Sequence, residues 1–152
     1  MPVYIVYAAV DRLSPGVKEV VARAITDAHR DLTGTNSFLA QIRFQEHEAG
    51  DVFHGGVRST SDSIFVHGLN RLGRAPDVKR RLTERIVRDV AMAVSMPTRD
   101  VWVYIDELPA TQMAEYGHIL PEPGKEAEWL DRLPAADRDY MEAFSARGRA
   151  RS

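Results

Sequence analysis

The chain contains no cysteine. That excludes disulfides, thiolate-bound metals and a cysteine nucleophile, and it fits a reducing, cytoplasmic setting. Long apolar runs are also missing: none approaches the ~20 residues of a membrane-spanning helix. The apolar beginning, MPVYIVYAAV, has no basic leading region and meets Asp11-Arg12 at once, so it does not read as a secretory signal. Nor is there an excess of one charge. Twenty Lys and Arg face 22 Asp and Glu, a formal net charge of -2. This is not the electrostatic footprint of a nucleic-acid or anionic-membrane partner. GxSxG, P-loop and GxGxxG motifs are absent, and His47, His54, His67 and His118 show no metal-ligand spacing, so neither a metal nor a cofactor is expected. What is present is an ordinary globular composition, 44% apolar and 28% charged over 152 residues. That predicts one domain with a real core.

The pattern along the chain predicts an α/β (α+β) fold of two consecutive β-α-β units. Residues 2–9 (PVYIVYAA) read as a strand. Ser14-Pro15 reads as a helix start, Val17, Val21, Ala24, Ile25, Ala28 and Leu32 recur at helical spacing, and Gly34 is the stop. Residues 39–46 alternate as a strand, and a glycine-containing turn region runs from Glu48 to Asp62. The order then repeats: strand 63–70, a helix opened by Pro76, strand 100–107. Pro76 lies 61 residues after Pro15, and at that offset Lys18 matches Lys79, Ile25 matches Ile86 and Glu46 matches Glu107. We read an internal repeat, about 2–47 and 63–108, followed by a segment 109–152 within a single domain 1–152. Right-handed crossovers predict parallel outer strands in each unit. In the last segment 110–117 reads as one or two helical turns, Glu126–Leu133 and Ala135–Phe144 as short helices, and 145–152 as a frayed basic tail.

Six residues could carry chemistry, and each has an ordinary reading beside the functional one. Pro2, once Met1 is removed, would offer a secondary amine titrating near ~7.7–8, although many chains begin Met-Pro without using it. Arg71 and Arg74 lie between a strand and the Pro76 helix, where two guanidinium forks could hold a carboxylate or simply be solvated at a turn. His29 borders the apolar stripe of the first helix, Tyr104 lies in a strand, and Glu115 reads as a helix-end carboxylate. The basic face Lys79, Arg80, Arg81, Arg85 and Arg88 is interleaved with Glu84 and Asp89, a solvated face or a subunit contact.

Taken together, MPVY, TDAHRDLTGT, FLAQIRFQE, the Gly-Gly before the third strand, IFVHGLNRLGR, VWVYIDELPA and QMAEYG resemble the cis-3-chloroacrylic acid dehalogenase family of the tautomerase superfamily. The resemblance runs from Pro2 to about Leu133. It implies a catalytic N-terminal proline at Pro2, the helix histidine at His29, carboxylate-binding arginines at Arg71 and Arg74, and a water-activating pair at Tyr104 and Glu115. The resemblance leaves loop positions around Asn36, His54, Arg58, Asn70 and Leu72 free to differ from any given relative. The resemblance further implies a homotrimer with the active site partly walled by a neighbouring subunit, a small carboxylate substrate, and cofactor-free hydrolytic dehalogenation of cis-3-haloacrylates to malonate semialdehyde. Two other activities suit the same residues: tautomerisation of an enol acid of the phenylenolpyruvate type, and oxygenation of a bound enol. A non-catalytic, cytokine-like binding protein on the same fold is a further alternative, which a retained Met1 would favour.

Overall fold

Strict alternation governs the first strand, β1 (Val3–Ala9). Its Tyr4, Val6 and Ala8 are buried, and Val3, Ile5 and Tyr7 point to the other side, as the two-residue period of a strand requires. The computed structural model describes residues 2–59 and 62–149, the last five by backbone alone. Helix α1 (Pro15–Thr33) begins where Ser14 Oγ accepts from the Val17 N–H at 3.3 Å, with Pro15 in its first turn. It ends at Gly34, whose left-handed φ of 70° lets its N–H reach Arg30 O at 2.8 Å. β2 (Gln41–His47) then pairs parallel to β1. The turn region that follows carries a small hairpin, β3 (Phe53–His54) and β4 (Val57–Arg58). It closes on Gly55-Gly56, both at positive φ, as a two-residue type I′ turn demands. Residues 60 and 61 lie outside the described residues.

The second unit repeats the first. β5 (Ile64–Arg71), α2 (Pro76–Ala93) and β6 (Val101–Leu108) follow in order. β5 runs antiparallel to β1 and parallel to β6, giving one sheet in the order β2-β1-β5-β6. Val21 and Ile25 of α1 and Leu82, Ile86 and Val90 of α2 pack with Tyr4, Val6, Ile64 and Val66 in one fully buried core. The 61-residue offset holds in three dimensions. Lys18 meets Glu46 at 2.7 Å, and Lys79 meets Glu107 at 2.7 Å. The left-handed Gly34 is matched by Ser95, at φ 55°.

Beyond Pro109 the structure departs from the helical reading of 110–117. Only Ala110–Gln112 forms a 3-10 turn. β7 (Ala114–Glu115) and β8 (His118–Ile119) then make a hairpin. The reason is the reversal at Tyr116-Gly117, both left-handed at φ 53° and 84°, with the Tyr116 hydroxyl donating to Phe38 O at 2.6 Å. Leu39, Ala110, Met113 and Leu120 form a second, smaller core beneath this hairpin. Two helices complete the chain, α3 (Glu126–Arg132) and α4 (Ala135–Arg149). α4 continues through the stretch from Ser145 where fraying was expected, and residues 150–152 lie outside the described residues. No helix among the described residues is long and apolar enough to cross a membrane.

Candidate active site

The site grows from a close approach in the sheet. Gly68 faces Tyr4 across the β1–β5 pair, and a Cβ at 68 would lie 2.5 Å from Tyr4 Cε1. Only glycine leaves room for that ring. The Tyr4 hydroxyl meets His29 Nδ1 at 2.9 Å, and Arg74 Nη2 meets His29 Nε2 at 3.2 Å. A guanidinium can only donate, so Nε2 accepts, Nδ1 carries the proton, and Nδ1–H donates to Tyr4 Oη. Burial, with the Arg74 charge added, lowers His29 to about 2, so the imidazole is neutral. Burial pushes the Tyr4 phenol up to about 12, which keeps its proton in place. His29 is therefore fully buried rather than at the border of the apolar stripe. Arg74 is held further by Nη1 donating to Arg71 O at 3.0 Å and Nη2 to Thr35 Oγ1 at 3.3 Å.

Arg71, the last residue of β5, is buried, not solvated at a turn. Its Nη1 donates to Pro121 O at 2.6 Å and its Nη2 to the Glu126 carboxylate. Its Nε has no partner among the described residues. The two arginines share the wall of a cavity of about 340 Å³ with Thr35, Asn36, Leu72 and Glu126. Asn70, next to Arg71 in sequence and also buried, has an Oδ1 without a partner among the described residues.

Glu115 lies in β7 and is half-buried, with one carboxylate oxygen buried and without a hydrogen-bond partner among the described residues. It is not an exposed helix end. Burial raises its carboxyl to about 7, against the opposing pull of the amino-terminal charge and of Arg71. A larger cleft of about 800 Å³ opens beside it, lined by Val3, Phe38, Leu39, Tyr116 and Tyr140 among others. Leu39 lines both spaces. Pro2 is buried at the head of β1, its carbonyl accepting from Gln41 N at 3.0 Å. Met1, and so the expected processing of the N-terminus, lies outside the described residues.

Tyr104 is not gathered with the others. It stands on the sheet face away from the helices, 58% exposed, its ring edge-on to Phe65 at 5.2 Å, and it lines neither cavity. Most of the basic face of α2 is paired within the chain: Lys79 with Glu107, Arg80 with Asp77 and Glu84, Arg85 with Asp31 and Asp89, and Arg88 with Asp89. Among the described residues no three His, Asp or Glu side chains converge as a metal site. Sequence reading missed Tyr4, Thr35 and Glu126. Their roles come from partners 25, 39 and 55 positions away, and nothing local marks them.

A sequence model of the family described as "Putative oxalocrotonate tautomerase enzyme" matches residues 1–132. Among solved structures, that of N1, a member of the cis-3-chloroacrylic acid dehalogenase family, is 33% identical, covers 93% of this chain and 99% of its own, and has a TM-score of 0.88. Two others are similar in fold alone. A fused 4-OT that is a symmetric trimer is 22% identical, with 78% of this chain and 94% of its own covered and a TM-score of 0.70. A malonate semialdehyde decarboxylase inhibited by 3-bromopropiolate is 16% identical, with 87% and 99% covered and a TM-score of 0.66. No curated protein matches. The profile match across most of the chain, together with the close structural likeness to N1, establishes that this chain belongs to the cis-3-chloroacrylic acid dehalogenase family of the tautomerase superfamily.

Proposed function

We propose that the protein is a cofactor-free enzyme that adds water to a cis-3-haloacrylate, with Pro2 as its N-terminal amine. One observation carries this reading: a buried carboxylate oxygen on Glu115 without a partner among the described residues, in a group poised near neutrality within the field of Arg71. A general base works best with a pKa near the operating pH. Arg74, whose bonds go to a carbonyl, a hydroxyl and a neutral imidazole and to no carboxylate among the described residues, supplies a cation for the substrate carboxylate, and the Nε of Arg71, without a partner among the described residues, adds a donor. Their charge withdraws electron density from C3 and stabilises the enediolate character that builds as water adds. Ionised Glu115 takes a proton from that water, the oxygen bonds to C3, and protonated Pro2 delivers a proton to C2. The halohydrin then loses hydrogen halide to give malonate semialdehyde. His29 is the positioning residue that holds Arg74.

Tyr104 enters this scheme from a neighbouring chain. The trimeric 4-OT relative and the open aromatic face that carries Tyr104 support a homotrimer in which one subunit's Tyr104 seconds another's Glu115. Glu115 near 7 also favours a second reading. At neutral pH much of it is protonated, and neutral Pro2 would then act as base on an enol acid, a tautomerisation that needs no activated water. Incubation with 3-bromopropiolate and intact-mass analysis tests the primary reading. Hydration should yield an acylating product that modifies Pro2 of a chain lacking Met1, and Glu115→Gln should escape it. A fully active preparation retaining Met1 sinks the role of Pro2.

A further inference from the structure

The two arginines are not equivalent. Arg71 has an internal counter-ion, Glu126, the first residue of α3, and its other terminal nitrogen donates to Pro121 O at 2.6 Å. Arg74 pairs with no carboxylate among the described residues. The segment that carries Glu126 is seated firmly: Pro123 packs so closely on Gly73 that a Cβ there would lie 2.8 Å from Pro123 Cγ. Glu126 therefore belongs to the wall of the cavity that both arginines line. Burial alone would raise its carboxyl, but the hydrogen bond from Arg71, with backbone donors, holds it below the usual carboxylate range, so it is ionised there. The wall then holds two guanidinium charges and one carboxylate, with neutral His29 hydrogen-bonded to Arg74 and with Glu107, whose charge reaches Arg74, paired with Lys79, so the balance is one positive charge. A single substrate carboxylate satisfies that balance. A second would find no free cation and would meet Glu126.

We propose that Glu126 is a specificity-determining residue that sets the arginine cavity to accept one carboxylate and reject a second. The proposal rests on the reading of Arg71 and Arg74 as a carboxylate site, and its test needs no turnover. Calorimetric titration with succinate and with monomethyl succinate compares probes of similar size that differ by one charge. Wild-type protein should bind the monoester more tightly. Glu126→Gln keeps a hydrogen-bond acceptor for Arg71 but frees its charge, and should shift the preference toward succinate by about tenfold or more, given the strength of charge pairs at this range. Glu126→Asp should retain the wild-type preference, and Arg74→Ala should bind neither probe. An unchanged ratio in folded Glu126→Gln overturns the proposal. So does wild-type preference for succinate, a result that holds even if the variants do not fold. Wild-type protein that binds neither probe also overturns it, while labelling of Pro2 judges the reaction separately.

Discussion

At Glu115, the burial that raises the carboxyl to about 7 has opposite consequences for stability and for catalysis. An acid whose folded pKa lies above its unfolded value holds its proton more tightly in the folded state. Between the ordinary carboxyl value of 4.5 and about 7 the folded protein binds more protons than the unfolded chain, so stability falls as pH rises through that window. Glu115→Gln removes this cost. It should match wild type at pH 4 and exceed it at pH 8 by up to about 3 kcal/mol, read from urea unfolding at the two pH values. An equal difference at both would show that the carboxyl is not raised. The catalytic expectation runs the other way. Water addition should gain with pH through a midpoint near 7 and fall ~10²–10⁴-fold in Glu115→Gln, whereas tautomerisation, which needs no activated water, should survive in part. Equal losses of both reactions in steady-state assays would assign Glu115 a structural role.

Among the elements, the repeat provides an internal control. The pairs Lys18–Glu46 and Lys79–Glu107 have the same length, but Glu46 is 36% exposed and Glu107 14%, and one oxygen of Glu107 is buried without a hydrogen-bond partner among the described residues. Removing the lysine should therefore cost differently in the two units. Lys18→Ala strands a solvated carboxylate and should change stability by less than ~0.5 kcal/mol. Lys79→Ala takes the directly hydrogen-bonded counter-ion from a mostly buried carboxylate, leaving only the longer-range charge of Arg74, and should cost roughly 1–3 kcal/mol. Equal losses in denaturant melts would refute the difference in environment. The helix ends offer a second comparison. α1 ends on Gly34, but the equivalent Ser95 adopts the same left-handed backbone with a side chain, a conformation that disfavours a Cβ. Ser95→Gly should raise stability by about 1 kcal/mol, measured in the same way, and a loss would mean that the Ser95 side chain has a packing role.

On the scale of the whole molecule, the helices cover one face of the sheet and leave the other open. Tyr7, Phe65 and Tyr104 make ring contacts across that open face, and Trp102 is 46% and Tyr104 58% exposed. An apolar patch of this kind marks an interaction surface, and β2 and β6 end the sheet with strand edges that need partners. The proposed trimer should sediment near three times 17.1 kDa. Trp102→Glu should dissociate it and abolish activity together. If Tyr104 serves a neighbour's site, co-assembled Pro2→Ala and Tyr104→Phe chains should recover activity at about a quarter of the sites, as random mixing in a closed ring requires. No recovery would return Tyr104 to its own chain's chemistry, or to packing alone.

Hydrophobic periodicity, Ser14-Pro15, Gly34 and Pro76 were enough to place both β-α-β units and their offset, because helix and strand periods and cap chemistry are local properties of the chain. Motif resemblance went further and named Pro2, His29, Arg71, Arg74, Tyr104 and Glu115. Local signals failed at 110–117, where a left-handed tyrosine reverses the chain into a hairpin under the tether of Phe38, a contact made across 78 positions. They also could not show that Gly68 makes room for Tyr4, that Arg74 fixes the tautomer of His29, or that Glu126 pairs with Arg71 and not with Arg74. Those relations depend on burial and on distant partners. Only the folded chain removes water from these groups, and only then do their charges, protons and unpaired atoms acquire the values on which a reaction could depend.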